Sequence, residues 1–516
     1  MPDQFDYVIV GAGSAGCVLA NRLSTDPSVR VALVEAGAKD RSPNIKIPPA
    51  FPKLFHSKYD WDLFTTSQPE LKARELYWPR GKVLGGCSSL NAQMWVRGAQ
   101  ADYDGWGEGW TWADVLPYFH RAERRVGSNA QGTYGTVGPL YIEELRDPSV
   151  LREAFFAAAA AEGFQRLPEL NVPSIDGFGP TPVTQRRGRR WSAADGYLRP
   201  ALRRPNLTLF VGTLAEQVLV RDGRATGVRI RAPRGARYEL TAQREVLVSA
   251  GAVHSPHLLQ LSGIGDPAVL SAAGIRTVVE LPEVGRHLQD HLSCPVIMFT
   301  REPITLYQAD RRPSELAKYL AMRRGLLTSN VGEGVLFLRS DPALAHPDLE
   351  IIFAPVPFLD HGLTEPEGHG ITLGIILLQP ESSGTVTVTS ADPAQPPAID
   401  AGYLTAPADL ARLVTGVEAC RSLFAQPALR EHVTDPMRPG VGETDMAEFV
   451  RAMSETLYHP VGTCRMGSVV DRALRVRGVD GLRVVDASVM PRIIRGHTHA
   501  PTVMIAERAA DLIRAG

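Results

Sequence analysis

A cluster of glycines near the N-terminus has the residue types and the spacing to bind a pyrophosphate. Gly11, Gly13 and Gly16 stand in the stretch DYVIVGAGSAG with the pattern G-x-G-x-x-G. Because glycine lacks a Cβ, the backbone can turn sharply there and its amides can come close to a ligand. A helix that begins at such a turn presents its positive end to phosphate groups. The cluster predicts a dinucleotide site.

The residues on either side of the glycines favour the same interpretation. An apolar run at 7–10 precedes them, and a helical pattern begins at about residue 17. A second apolar run at 31–34 ends in Glu35. An acidic side chain about 20 residues after the last glycine usually binds the ribose hydroxyls of an adenosine. This strand, turn, helix and strand pattern leaves open whether the dinucleotide is NAD or FAD.

A second glycine-rich stretch, YWPRGKVLGGCSSLNAQMWVRG at 77–98, follows one unit later. Gly81, Gly85 and Gly86 allow another close approach of backbone to a ligand, and the small side chains from Cys87 onward leave room for it. Asn91 adds a short amide. The stretch predicts a second contact with the same cofactor.

Composition and charge narrow the class of protein. The chain has 516 residues, of which 44% are hydrophobic and 22% are charged, as in a globular protein of two domains. A net charge of −1 gives no electrostatic footprint for nucleic acid or an anionic membrane. The basic run QRRGRRW at 185–191 is interpreted as a solvated face. A small molecule is therefore the expected ligand.

Cysteine usage and the N-terminus bear on the compartment. The five cysteines lack C-x-x-C spacing, which argues against a disulfide framework and against a zinc site. The start MPDQFD leaves no room for a cleavable leader, and no apolar run reaches the ~18 residues of a membrane span. We expect a cytoplasmic protein without a transmembrane segment, and peripheral attachment to a membrane stays open.

The order of patterns along the chain predicts the architecture. A helix is expected at 148–163, a β hairpin with its turn at Asp222-Gly223, and a buried strand at 245–249 that leads into another helix. Apolar strands near 349–356, 371–380 and 384–390 predict an antiparallel sheet, with helices at 407–425 and 443–457. The C-terminal stretch returns as strand, turn and helix to the nucleotide-binding sheet.

The predicted fold class is thus mixed α/β and α+β, with a discontinuous Rossmann-like domain and a second domain built on an antiparallel sheet with covering helices. The first domain is assigned residues 1–150, 200–292 and 460–516, and the second, which would bind the substrate, residues 151–199 and 293–459.

Five blocks in this order resemble the glucose-methanol-choline oxidoreductases, a family of FAD-dependent alcohol oxidases and dehydrogenases. One family signature matches 81–98, with Cys87 where Gly, Ser or Thr is more usual, and GAVHSPHLLQLSGIG at 251–265 matches the other. YHPVGTCRMG and DASVMPRIIRGHTHAPTVMIAERAADLI resemble the active-site segments. The resemblance covers essentially the whole chain and is strongest to choline-dehydrogenase-like, aliphatic and aryl alcohol dehydrogenases.

The resemblance implies a non-covalent FAD, because Leu90 stands where some relatives attach the flavin through histidine. It implies adenosine at Glu35 and near Val218, and pyrophosphate at 13–16. The flavin would lie against the second glycine block, with the C-terminal segments on its ribityl and pyrimidine side. The implied cofactor-binding residues are Gly11, Gly13, Ser14, Ala15, Gly16, Glu35, Ala36, Val83, Gly86, Cys87, Asn91, Ala92, Val218, Asp486, Ala487, His499 and Thr502.

Alcohol oxidation by a flavin requires a group that takes the hydroxyl proton, and a neutral imidazole suits that role. Of the 13 histidines, the resemblance implies His459 as the principal base and His497 as its partner. His499 competes with His497 for the second role and is assigned to flavin or structure. Glu333 matches a carboxylate that meets the cationic head of choline in some relatives, although choline specificity does not follow. The histidines at 254, 257, 287 and 291 are interpreted as packed or solvated side chains.

The predicted reaction is oxidation of a primary or secondary alcohol to an aldehyde or ketone, with the hydride passing to flavin N5. The flavin is then reoxidised by O2, a quinone or another carrier. Two alternatives are an NAD(P)-dependent dehydrogenase, which leaves the second glycine block unexplained, and an FAD-containing lyase of the same family that catalyses no redox reaction.

Overall fold

The computed structural model describes residues 4–129 and 132–516. Residues 1–3, part of the N-terminal stretch judged too short for a leader, lie outside the described residues. The strands of the two large sheets are, in chain order, β1 (Gln4–Val10), β2 (Val31–Glu35), β3 (Gly177–Pro180), β4 (Leu207–Val211), β5 (Leu214–Arg221), β6 (Arg224–Arg231), β7 (Arg237–Val248), β8 (Leu292–Thr300), β9 (Gly334–Leu338), β10 (Leu349–Ala354), β11 (Gly370–Leu377), β12 (Val433–Arg438), β13 (Glu455–Thr456) and β14 (Leu482–Val484).

Among the described residues, the α-helices of eight residues or more are α1 (Ser14–Leu23), α2 (Trp112–Ala122), α3 (Val150–Ala161), α4 (Gly251–Leu261), α5 (Pro313–Met322), α6 (Pro407–Ala425), α7 (Met446–Met453) and α8 (His499–Arg514). Shorter α-helices lie at Pro43–Lys46, Gln100–Asp104, Arg199–Ala201, Pro267–Ala272 and Pro427–Arg430. No helix in the described part of the chain is long and apolar enough to cross a membrane.

The first sheet is the nucleotide-binding sheet. Its order is β4-β2-β1-β7-β6-β5, and β14 pairs with the C-terminal half of β7. The strands β4, β2, β1, β7 and β14 are parallel, whereas β5 and β6 form an antiparallel hairpin on β7. Parallel strands of this kind are buried on both faces, and every residue of β2 is buried. The predicted strand, turn and helix at the N-terminus and the C-terminal return are both confirmed.

The second sheet is antiparallel throughout. Its order is β12-β8-β11-β10-β9-β3, with β13 paired to the start of β8. Helix α6 packs on β11, and a hydrophobic core that includes Phe353, Leu373 and Val417 fills the space between them. The apolar runs of β10 and β11 are almost wholly buried, which explains why these strands could be recognised from the sequence.

One predicted strand was placed in the wrong sheet. The run at 384–390 forms only the short strand Thr385–Thr387, which pairs with Ala398–Asp400 in a separate two-stranded sheet. Gly384 stands at the start of this pairing, and a Cβ there would lie 1.9 Å from the carbonyl oxygen of Asp400, so the close approach of the two backbones requires glycine.

Candidate functional site

A cavity of about 780 Å³ extends from the glycine turn after β1 to the C-terminal histidines. It lies at the carboxyl ends of β1, β2 and β7, where open parallel sheets bind their ligands. Residues of the second glycine block, the antiparallel sheet and the start of α8 complete its wall. Both glycine stretches predicted from the sequence therefore face one cavity.

The first glycine turn has a different requirement at each position. Gly11 has φ +97°, and a Cβ there would lie 2.4 Å from the carbonyl oxygen of Ser249. A Cβ on Gly16 would lie 1.8 Å from the carbonyl oxygen of Gly11. At Gly13, by contrast, the nearest atom would be Gly86 Cα at 4.0 Å. Gly11 and Gly16 close the turn onto the sheet, and Gly13 keeps space open at the cavity wall.

Glu35, at the end of β2, stabilises the same turn by hydrogen bonds. Its carboxylate accepts hydrogen bonds from the amides of Ala12, at 2.8 Å, and Gly37, at 2.7 Å. Burial raises the pKa of the Glu35 carboxyl to about 7. Since Glu35 also lines the cavity, it has lone pairs left for a ligand hydroxyl.

The second glycine block packs directly on the first. A Cβ on Gly86 would lie 2.7 Å from Gly13 Cα, and the amide of Gly85 donates to the carbonyl oxygen of Ala12 at 2.7 Å. Gly86 and Ser88 line the cavity, as do Cys87, Asn91 and Ala92. The block thus continues the cavity wall next to the first turn.

Arg190 corrects the interpretation of the basic run at 185–191. Its side chain is fully buried rather than solvated, and it donates to the carbonyl oxygen of Ile45 at 2.7 Å and to Asn91 Oδ1 at 2.7 Å. Burial lowers the pKa of this guanidinium to about 9. Arg190 therefore fixes the orientation of Asn91 at the cavity wall, a role that a run of charges does not reveal.

The C-terminal segments close the cavity from the other side. Asp486 is buried and accepts hydrogen bonds from Gly251, Ser255 and Ser488, which ties the turn after β14 to the start of α4. His499 begins α8, and its Nδ1 lies 3.1 Å from Ser14 Oγ in the first glycine turn. Its Nε2 is buried and has no hydrogen-bond partner among the described residues.

Most of the predicted cofactor residues meet at this cavity, and three of them do not line it. Gly16 packs α1 onto β1, and Val83 lies in a small apolar core with Phe51 and Leu90. Val218 is buried in the core of the first sheet, and its amide donates to Ser262 Oγ at 2.8 Å. Three residues that precede Val218 in the chain do line the cavity: Thr213, just before β5, and Leu214 and Ala215, at its start.

His459 and His497 lie side by side at the cavity wall, with their ring centroids 4.9 Å apart. The amide of His459 donates to Asp290 Oδ1 at 2.7 Å, and its Nδ1 lies 3.0 Å from Nδ1 of His291. The enclosing protein and the neighbouring imidazoles lower the pKa of His459 well below its ordinary value of 6.5. His459 is therefore neutral at pH 7.

His497 is held by a buried carboxylate from the second sheet. Its Nε2 lies 3.1 Å from Oε1 of Glu350, a residue of β10 that is fully buried. The amide of His497 donates to the carbonyl oxygen of Val96 at 3.0 Å. The pair of histidines is thus anchored by Glu350 of β10 and by Asp290 and His291, which directly precede β8.

Aromatic side chains line the cavity beside the histidines. Phe51 lies 5.9 Å from Phe55 and 6.1 Å from Phe358, and Phe55 lies 6.2 Å from Tyr458, ring centroid to ring centroid. Tyr458 directly precedes His459 and has φ +68°, a left-handed backbone that turns the chain at this point. This end of the cavity can take an apolar group.

Glu333 does not line the cavity. Its carboxylate accepts hydrogen bonds from the amide of Ser149, at 2.6 Å, and from Ser329 Oγ, at 2.6 Å. These contacts join the start of α3 to the loop before β9.

Three residues that contact the histidines were not predicted as site residues from the sequence. Asp290 and His291 follow one another just before β8, and Glu350 lies within an apolar strand. The D-H pair next to a strand, and the carboxylate alone among apolar residues in β10, are the patterns that could have identified them. Sequence reasoning treated His291 as a packed side chain, and it is packed, but against His459.

Family models for GMC oxidoreductases match residues 5–293 and 380–506. The chain belongs to the GMC oxidoreductase family. It is an oxidoreductase that acts on CH–OH groups, and its cofactor is FAD. The resemblance drawn from the sequence is confirmed.

Similar proteins support this family membership over the full length of the chain. A GMC-type oxidoreductase of Mycobacterium bovis is 50% identical over 100% of both chains. An alcohol dehydrogenase [acceptor] of Pseudomonas putida is 42% identical and covers 99% of this chain and 96% of its own length. A formate oxidase of Aspergillus oryzae, solved as a variant that affects FAD modification, is 30% identical with a TM-score of 0.94, covering 100% of this chain and 98% of its own.

The cavity of this GMC oxidoreductase fits FAD on its own geometry. The space beside Gly13 would admit a pyrophosphate to the amides of the first turn. Buried polar atoms without partners among the described residues, His499 Nε2 and Ser249 Oγ, belong to residues that line the same cavity. Such orphaned atoms are typical of groups that bind a ligand. Leu90, which lines the cavity, offers no nucleophile for a covalent bond to a flavin.

Proposed function

We propose that this enzyme oxidises a primary or secondary alcohol with an apolar substituent to the aldehyde or ketone, and that His459 takes the hydroxyl proton. FAD, when bound, supplies the acceptor for the hydride from the alcohol carbon. The observation that carries the proposal is the neutral imidazole of His459 at the cavity wall. Its Nδ1 is held by His291, and its Nε2 has no partner among the described residues.

His459 suits the role of base for a physical reason. A base must be uncharged before the reaction, and the lowered pKa keeps His459 neutral across the physiological range. Its amide bond to Asp290 and its ring bond to His291 restrain both the backbone and the side chain. A base that is already restrained loses little conformational entropy when it reaches the reactive geometry.

His497 is the second group of the proposed site. Its ring lies at the same wall, and the carboxylate of Glu350 holds its Nε2. We assign it the orientation of the alcohol oxygen and the sharing of its proton. A pair of imidazoles on one side of an alcohol leaves the hydrogen on the carbon free to face the opposite side.

The apolar character of the substrate follows from the aromatic cluster of Phe51, Phe55, Phe358 and Tyr458 beside the histidines. Burial of an apolar substituent there contributes about 25 cal/mol per Å² of buried surface. The carboxylate of Glu333 is engaged by protein donors, so nothing at that residue supports a preference for a cationic head group. An aryl or aliphatic alcohol is the substrate class that we favour over choline.

Two further elements of the proposal concern electrons and location. The chemistry that FAD would supply when bound includes reoxidation by O2, a quinone or another carrier. The five free cysteines, all within the described residues, support a reducing compartment and hence a cytoplasmic location.

Anaerobic mixing of the purified holoenzyme with a panel of alcohols tests the reaction, since bleaching of the flavin absorbance reports its reduction. His459→Ala should keep FAD bound while the rate constant of flavin reduction falls by about 10²–10⁴. His346→Ala, at an exposed histidine, is the matched control and should reduce as the parent does. Unchanged reduction in His459→Ala would refute the role of base, and no bleaching by any alcohol would favour a non-redox member of the family.

A further inference from the structure

A second histidine lies behind His459, on the side away from the cavity. His291 is fully buried, does not line the cavity, and comes directly before β8. Its Nε2 lies 3.1 Å from the carbonyl oxygen of Leu378, and its Nδ1 lies 3.0 Å from Nδ1 of His459. A carbonyl oxygen, two imidazole rings and the cavity are therefore joined in one line of contacts.

The contact with Leu378 fixes which nitrogen of His291 carries a proton. A carbonyl oxygen only accepts, so Nε2 of His291 must be the donor. Burial lowers the pKa of His291 to about 3, and the ring is therefore neutral, with one proton only. Since that proton is on Nε2, Nδ1 of His291 is a bare acceptor.

The same reasoning then fixes the proton of His459. Of two ring nitrogens at hydrogen-bond distance, one must donate, and Nδ1 of His291 has no proton to give. The proton of neutral His459 must be on its Nδ1, which leaves a lone pair on Nε2. This nitrogen is the one that has no partner among residues 4–129 and 132–516.

We propose that His291 is a positioning residue that sets the tautomer of His459, so that Nε2 of His459 is bare and ready to take the proton of the alcohol. The inference rests on the proposed function, because it assigns a cause to the readiness of the same base. When Nε2 takes the proton, the Nδ1–H of His459 stays on its bond to His291. The new positive charge then lies next to a lone pair of His291 and no second proton has to move.

The charged and titratable groups around His459 come from several elements. His497 faces it at the cavity wall and is backed by Glu350 of β10. Asp290 accepts from its amide, and the guanidinium of Arg80, which donates to the carbonyl oxygen of Tyr458, acts on it at longer range. These groups are retained when His291 is replaced, so a change in the behaviour of His459 reports the loss of the His291 acceptor.

Two substitutions of His291 separate positioning from mere packing. His291→Phe keeps a ring of similar size and removes both hydrogen bonds, whereas the amide of His291→Gln can donate to Leu378 and accept from His459. Because a wrong tautomer removes the base from use, the rate constant of flavin reduction should fall by about 10²–10⁴ in His291→Phe. His291→Gln should recover most of the rate.

A readout that needs no turnover completes the test. In holoenzyme labelled with ¹⁵N-histidine, solid-state NMR distinguishes a protonated ring nitrogen from a bare one, and His459→Asn identifies the resonances of His459 by their loss. We expect protonated Nδ1 and bare Nε2 in the parent and in His291→Gln, and a different tautomer or a mixture in His291→Phe. An unchanged tautomer in His291→Phe overturns the inference, and it leaves the proposed function intact if His459→Ala still fails to reduce its flavin.

Discussion

The carboxylate of Glu350 is the only charge of its strand that contacts the histidine pair in the described structure, and it is fully buried. Glu350→Gln keeps the shape and a hydrogen-bonding group but replaces the carboxylate that holds His497 Nε2 by a neutral amide. Hydrogen bonds to charged groups contribute about 1.5–3 kcal/mol, so kcat/KM for the best alcohol should fall about 10- to 100-fold. Steady-state kinetics on FAD-saturated enzyme measures this, with Glu381→Gln at an exposed carboxylate as the control. Equal kcat/KM in Glu350→Gln and the parent would exclude an electrostatic role.

Prediction of single residues from the sequence succeeded where a local motif carries the information. His459 and His497 stand in recognisable blocks, and the structure brings their rings to one wall of the cavity. Their partners carried no such signal, because His291 and Glu350 are 168 and 147 residues away in the chain. Contacts over such distances depend on the packing of whole sheets, which no spacing in the sequence encodes.

The glycine turn behaves as one element in which neighbouring glycines have different functions. Gly13→Ala meets no atom closer than 4.0 Å and keeps a negative φ of −76°, so the protein should fold. Its methyl group stands at the cavity wall, however, and should weaken FAD binding. Gly16→Ala places a Cβ 1.8 Å from the carbonyl oxygen of Gly11, which should prevent α1 from packing on β1.

The flavin content and the Tm of the two variants test this division of roles. Gly13→Ala should be purified as folded protein with a reduced ratio of flavin to protein, and added FAD should raise its Tm toward that of the parent. Gly16→Ala should be insoluble or have a much lower Tm whether or not FAD is added. A fully flavinated Gly13→Ala with the parental Tm would show that the space beside Gly13 is not needed by the cofactor.

At the level of elements, predictions were correct where the periodic pattern was long and met a clear turn signal. The hairpin of β5 and β6 turns at Asp222-Gly223 as expected, and α6 has the predicted bounds 407–425. The run at 384–390 misled because a short alternating pattern is the same in a broad sheet and in a two-stranded one. The buried strand expected at 245–249 is the end of a longer strand, Arg237–Val248, because its exposed first half lacks the apolar signal.

At the scale of the whole molecule, the chain crosses repeatedly between the two sheets, and the cavity lies where they meet. β14 and α8 return to the first sheet after the second sheet is complete, and their connection carries His497. The cofactor wall and the proposed base therefore depend on both ends of the chain. The division into two domains with the boundaries given above stays a prediction, whereas the assignment of each strand to its sheet is directly observed.

The buried histidines of this protein should make its free energy of unfolding sensitive to acid. His257 is 5% exposed, and burial lowers its pKa to about 4, against about 6.5 in the unfolded chain. Between these values the unfolded chain binds more protons than the folded protein. The free energy of unfolding therefore falls as the pH drops from about 6.5 to about 4, by up to about 1.4 kcal/mol per pH unit for one such group.

His257→Leu removes this proton uptake, since leucine does not titrate. The Tm of the holoenzyme should therefore decline less between about pH 6.5 and about pH 4.5 in this variant than in the parent. His346→Leu, at an exposed histidine, should decline as the parent does. Glu35, with its pKa raised to about 7, changes stability in the opposite direction, but it is present in all three proteins and cancels in the comparison. Parallel declines in His257→Leu and the parent would mean that His257 takes up its proton without unfolding.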